Sequence, residues 1–383
     1  MGAFLLIIHI LSERFYLLLF ETDKLVANFL LPPLIITLPY FLLKAPKNFF
    51  INYKTVIIFT LYCFISSVVM GVFNIGQSMS SSILSSRTML VYPLLVPVLV
   101  YVYSKVNIQS IYRYIFFTSI FLILVNFYVF LSGDLSFYKG NIIFRVDQLR
   151  LAIGQWTMIY SYLFLISSLR YKKLSFFPAF GLMLTFIFVV KTRSIIAPLL
   201  LISIIEFFRG QNLFRIIKIA PIIVFGLSFI VISGLGISLY NQFSDLFFIT
   251  LSDSDNNIAV RLQAILYYWN NLNFWSLIFG YGMEEHRTFL YFQKYYLVVL
   301  GLFSIFYYWG LLGITLFFIF LKELNDLSNQ NNLPIVSNFA KNIVIFQLTA
   351  VTLTSLTYPT VLIFILSTYI ILKNSNYKSI GMK

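Results

Sequence analysis

The sequence predicts an all-α, polytopic membrane protein with about twelve transmembrane helices and a long outer loop containing interfacial helices, and three observations predict it. The 383 residues are 60% apolar and 19% aromatic but only 10% charged, where an ordinary soluble domain is about a quarter charged; mean hydropathy is +0.89. Apolar runs near 20 residues, the length a helix needs to cross the hydrocarbon core, recur from one end to the other. They leave no room for a separate soluble domain, so residues 1–383 read as one integral membrane domain. Lysine and arginine gather in every second connection, as they do in loops kept on the cytoplasmic side of a membrane.

Breaking the chain at charge and turn clusters places spans near 3–20, 25–43, 55–73, 87–104, 112–132, 151–169, 175–190, 194–208, 219–239, 297–321, 338–354 and 357–372. The first run lacks a basic leader and a small-residue cleavage site, and Glu13-Arg14 interrupts it, so it reads as a retained span. Gly2 lacks the Ser or Thr that myristoylation requires. With both termini cytoplasmic, the inner connections carry Lys44, Lys47 and Lys54; Lys105 and Arg113; Arg170, Lys172 and Lys173; Arg209, Arg215 and Lys218; Lys322 and Lys341; and Lys373, Lys378 and Lys383. This asymmetry accounts for the net charge of +14 without a nucleic-acid partner. The lone Cys63 has no partner for a disulfide or a thiolate metal site, and His9, on an apolar run, reads as a satisfied buried histidine or as one bonded to Glu13 one helical turn on.

Two outer loops are long, 133–150 and 240–296, and loops of that length are more often functional than accidental. In the second, Ile258, Leu262, Ile265 and Trp269 recur at helical spacing after "SDSDNN", which predicts an amphipathic helix on the membrane surface. Asp253 and Asp255 read as helix-capping residues rather than ion ligands, so no metal or other cofactor is expected. Gly280-Tyr-Gly282 reads as a turn closing that helix, because a phosphate loop would need a lysine and a preceding strand. No internal repeat is evident, which weakens a transporter built from symmetric halves.

Positive charge on the outer side is what the loop asymmetry leaves over: Arg87, Lys139, Arg145, Arg150, Lys191, Arg193, Arg261, Arg287 and Lys294. Pairing with outer carboxylates or with lipid headgroups is the plain account of any one of them. Lys191-Thr-Arg193 is sharper, since it occupies a tight connection between two apolar runs. Arginine grips phosphate through paired hydrogen bonds, so several converging at an outer cavity point to a phosphate-bearing substrate.

The stretches "VVKTRSIIAPLLL", "IAVRLQAILYYWNNLNFWSLIFGYG", the histidine after it and "WGLLGITLFF" together resemble the O-antigen polymerase and ligase superfamily of membrane glycosyltransferases, in motif order over residues 185–320. His286 follows Gly282 more closely than in that family, and Arg287 stands where an asparagine is common. The resemblance implies a metal-independent enzyme at the outer face of the cytoplasmic membrane. Its substrate would be a polyprenyl-diphosphate-linked oligosaccharide as both donor and acceptor, its partners membrane lipids and a chain-length regulator, with no nucleic acid. Arg193 and Arg261, with Arg145, Arg150, Arg287 and Lys191, would hold the diphosphate; His286, then Glu284 or Glu285, would accept the acceptor's proton. Transfer by a ligase to another acceptor, and a flippase or transporter of the lipid-linked glycan, are the alternatives.

Overall fold

The computed structural model describes residues 25–105, 107–132, 143–145, 148–150, 154–190, 193–209, 266, 269–270, 272–283, 302–350 and 359–380. The predicted spans 3–20 and 219–239 lie outside them.

Besides a single helical turn at Phe49–Asn52, the helices among the described residues are α1 (Leu25–Leu43), α2 (Lys54–Phe73), α3 (Met79–Lys105), α4 (Ile108–Ser132) and α5 (Gln155–Ser168). They continue with α6 (Phe176–Thr185), α7 (Arg193–Phe208), the short α8 (Phe274–Phe279), α9 (Leu302–Gln330), α10 (Pro334–Thr349) and α11 (Pro359–Ile380). Five segments are long and apolar enough to cross a membrane: α2, Met79–Ser104, α4, α9, and Lys173–Val190, which runs from a 3₁₀ turn through α6 into a π turn. Shorter apolar stretches fall in α1, α7 and α11. The all-α membrane class therefore stands, with one small exception: β1 (Ile143–Arg145) pairs antiparallel with β2 (Gln148–Arg150) inside what the sequence marks as a loop.

Helix α11 is central. It packs on α3, α5, α9 and α10, and every residue from Val361 to Ile370 is buried. A helix apolar on all sides has no solvent face to keep. Rings fill the space around it: Tyr160 stacks on Phe364 with centroids 4.9 Å apart, and Phe59 stacks on Phe320 at 5.7 Å. Hydroxyls survive inside this apolar bundle by bonding their own helix. Ser67, Ser119, Ser167 and Thr368 each donate to the carbonyl four residues back, at 2.6–2.8 Å, so these four donors are answered without water.

Polar contacts fix which helix ends lie together. Tyr53, beside the start of α2, donates to Asn374 near the end of α11 (2.5 Å), and Lys373 meets Glu323 in the last third of α9 (2.9 Å). Ser175 joins Tyr112 at the start of α4 (2.9 Å) and Ser168 at the end of α5 (2.7 Å). Asn342 of α10 donates to Ser167 of α5 (2.9 Å) and to Glu206 of α7 (2.7 Å), and Ser337 to the Ser328 carbonyl joins α10 back to α9. The connections collected here bear Lys44, Lys47, Lys105, Arg170, Lys172, Lys173 and Arg209, so the alternation of basic loops in the sequence becomes one basic end of the bundle.

Candidate functional site

At the opposite end, α9 is broken. Gly310 has φ 65° and ψ −164°, a conformation essentially confined to glycine, and the break releases carbonyls from the helical ladder. Three neighbours accept that role. Tyr281 N–H donates to the Tyr307 carbonyl (2.6 Å) and Gly282 N–H to that of Tyr308 (3.4 Å), while the Tyr62 hydroxyl of α2 donates to that of Trp309 (2.8 Å). In lipid an unanswered carbonyl costs several kcal/mol, so break and turn stabilise one another.

The turn that enters this break is Gly280-Tyr281-Gly282, directly after α8. Asn273 caps α8: its Oδ1 accepts from Ser276 N–H (2.7 Å) and Ser276 Oγ accepts from Asn273 N–H (2.9 Å), a reciprocal capping box. Asn74, just past α2, holds both ends of the short helix, accepting from Asn273 Nδ2 (3.3 Å) and donating to the Gly280 carbonyl (3.2 Å). Ser66 donates to the Phe279 carbonyl (2.5 Å) and Ser85 of α3 to that of Met283 (3.0 Å).

The glycines are required by approach as well as by dihedral. Gly280 (φ 89°) and Gly310 cross so closely that a Cβ on Gly310 would lie 2.5 Å from Gly280 N, and one on Gly280 would overlap the Tyr308 carbonyl. A Cβ on Gly282 (φ 90°) would lie 2.5 Å from Gly71 N of α2. Tyr281 stacks on Tyr307 at 5.5 Å, and Trp309, 1% exposed, donates from Nε1 to Ser67 Oγ at 2.9 Å.

The structure sorts the predicted site residues unevenly. Glu284, Glu285, His286, Arg287, Lys191 and Arg261 lie outside the described residues, as do Asp253, Asp255 and His9. The anchored turn ends at Met283, the residue before Glu284. The backbone of Arg193 opens α7, and β2, which contains Arg150, lies against the π turn Phe186–Val190, which ends three positions before it. Cross-strand register pairs Ile143 with Arg150 and Arg145 with Gln148, so positions 145 and 150 fall on one face of the ribbon. Arg145, Arg150 and Arg193 are thus brought to one locality by the backbone.

One expectation changes. The sequence places the turn at the end of the arginine-led helix; in the structure it closes α8, which starts at Phe274 under the Asn273 cap. "NNLN" is the signal, since asparagine both ends one helix and caps the next. Sequence reasoning also missed Ser66, Asn74, Ser85 and Gly310; of these only "WG" at 309–310 carries a local mark, a glycine inside an apolar span.

Among the described residues no three His, Cys, Asp or Glu side chains form a metal-binding group, and Cys63 is buried and unbridged. Neither the known family models nor the curated proteins match this chain.

Proposed function

We propose that the chain is a membrane glycosyltransferase that polymerises a polyprenyl-diphosphate-linked oligosaccharide, with about twelve spans, both termini cytoplasmic and the reaction at the outer face. The observation that carries the reading is the anchored Gly280–Met283 turn, because it fixes the point from which Glu284, Glu285 and His286 depart. Rigid attachment of a reacting loop lowers the entropic part of a barrier. The locality of Arg145, Arg150 and Arg193 at the same end supports the diphosphate role.

In this reaction the acceptor sugar's hydroxyl oxygen forms a bond to the donor's anomeric carbon. The bond from that carbon to the diphosphate breaks, its electron pair leaves on the diphosphate, and the hydroxyl proton passes to His286. Guanidinium groups of Arg193 and Arg261 stabilise the charge gathering on the departing diphosphate. A neutral imidazole is a far better proton acceptor at neutral pH than a solvated carboxylate.

Purified protein supplied with a lipid-linked repeat unit tests this. Chain extension is expected, with Arg193→Lys and Arg261→Lys impaired because lysine lacks the planar fork. His286→Ala is expected to bind donor yet lose about 10²–10⁴ in turnover. Normal polymer from both lysine variants would remove the arginines from the site, and loss in Glu284→Gln or Glu285→Gln in place of His286→Ala would move the base to a carboxylate. Transfer only to a different acceptor would make the enzyme a ligase, and no transfer to any acceptor would end the reading.

A further inference from the structure

Near the basic end, far from the turn, α5, α6 and α7 leave a groove of about 440 Å³, within the range of small-molecule sites. Its sides are apolar and partly bare: Phe176 and Phe180 of α6 stack at 5.8 Å to make one flat wall, and Leu200 and Phe207 of α7 form the other. Its floor offers no free hydroxyl. Tyr162 and Ser203 bond each other at 2.5 Å, and Ser203 also donates to the Leu199 carbonyl.

Two charged residues touch the groove. Glu206 is 7% exposed and already matched, bonded by Asn342 and by Arg209. Arg170 is exposed at the rim, forms no ion pair with a described carboxylate, and is followed by the exposed Lys172 and Lys173. The groove therefore combines an apolar slot with partly exposed walls and a cationic mouth at the end where the basic loops gather. A ligand that satisfies both needs a long apolar tail and an anionic head.

We propose that this groove binds an anionic phospholipid of the leaflet at the basic end, with an acyl chain between the Phe176–Phe180 wall and Leu200 and with the phosphate on Arg170. Charge complementarity selects the occupant. A neutral lipid would leave the rim cation Arg170 without a counter-charge, and a soluble anion would leave the slot unfilled. Basic clusters between spans at the cytoplasmic side favour anionic headgroups by the same electrostatics. The site depends on the chain being membrane-embedded and is independent of the glycan reading.

Native mass spectrometry of the full-length protein in detergent, titrated with phosphatidylglycerol and with phosphatidylcholine, tests the proposal. Phosphatidylglycerol is expected to bind at least about fivefold more tightly, in line with the attraction of one well-placed cation. Arg170→Gln should bring it to the phosphatidylcholine level, while Leu200→Trp, which fills the slot, should weaken both. A photo-crosslinker at position 200 should capture lipid. Equal affinity for the two lipids, an Arg170→Gln variant that still discriminates, or crosslinking of position 200 to the chain's own 219–239 run would each overturn it. Arg170→Gln alters an exposed side chain, so the discrimination can be read even if Leu200→Trp does not fold.

Discussion

The two ends of the helix bundle solve the problem of buried polarity differently. At the basic end, charge meets charge: Glu323 accepts from Lys373 (2.9 Å) and Tyr369 (2.8 Å), and Glu206 from Arg209 and Asn342. At the turn end, backbone meets backbone across the Gly280–Gly310 crossing, with neutral side chains such as those of Tyr62, Ser66, Asn74 and Ser85 assisting. Ion pairs tolerate side-chain adjustment, because long side chains can shift to meet one another. The crossing tolerates none, since its partners are main-chain atoms at contact distance. Among the described residues the junction engages no carboxylate or guanidinium in holding the fold, which suits an end proposed to bind a charged substrate.

Breaking each end in turn should show that difference. The largest effect is expected from Gly310→Ala, which meets both a forbidden dihedral and main-chain overlap with Ile278 and Gly280. Strain alone costs about 1–3 kcal/mol, and the overlap forces the turn out of the break. Thermal unfolding in detergent should show little folded protein; a melting curve like the parent's would mean that the crossing can relax. Glu206→Ala should rank second, at about 3–5 kcal/mol, because it strands a partly buried guanidinium. A double change with Arg209→Ala should recover part of that loss, and failure to recover would show that Asn342 matters more than the ion pair. Asn74→Ala removes the link holding both ends of α8 and should cost about 1–3 kcal/mol. It should also depress chain extension more than it depresses stability, since the turn would lose its tether while the bundle remains. The smallest change is expected for Glu323→Gln. That pair is partly exposed on both sides, so a loss of about 1 kcal/mol or less is expected, shrinking with added salt.

Much of the bundle was legible because membrane spans write themselves in composition. The predicted runs 25–43, 55–73 and 194–208 match α1, α2 and α7 to within a residue. The start of α3 was not legible: "MSSSILSSR" looks like a polar loop, yet α3 begins at Met79. Ser82 makes that possible by donating to the Val68 carbonyl of α2 (2.7 Å). A contact across two helices leaves no periodic trace. The hairpin at 143–150 was missed because three-residue strands give too short an alternation to read. Within the site, Gly280-Tyr-Gly282 was readable as a turn from glycine alone, whereas its partner Gly310 was not, since nothing local says which two glycines will cross. The acidic and histidine positions 284–286 were singled out by residue type, and the structure supports their setting only as far as Met283.

The crossing also orders events in time. Ser66 and Phe279, bonded to each other, are separated by 213 residues, and Tyr62 reaches Trp309 across 247. Contacts so distant in sequence form late, after much of the chain has been made and placed. During synthesis α2 and α3 are in place long before α9 exists, so the turn can be seated only once Gly310 has emerged and inserted. A chain arrested after residue 300 would thus carry every residue from Glu284 to Arg287 with no break to receive the turn before them. The turn end would therefore mature late, with the closure of the basic end by the bond between Tyr53 and Asn374, 321 residues apart, following it.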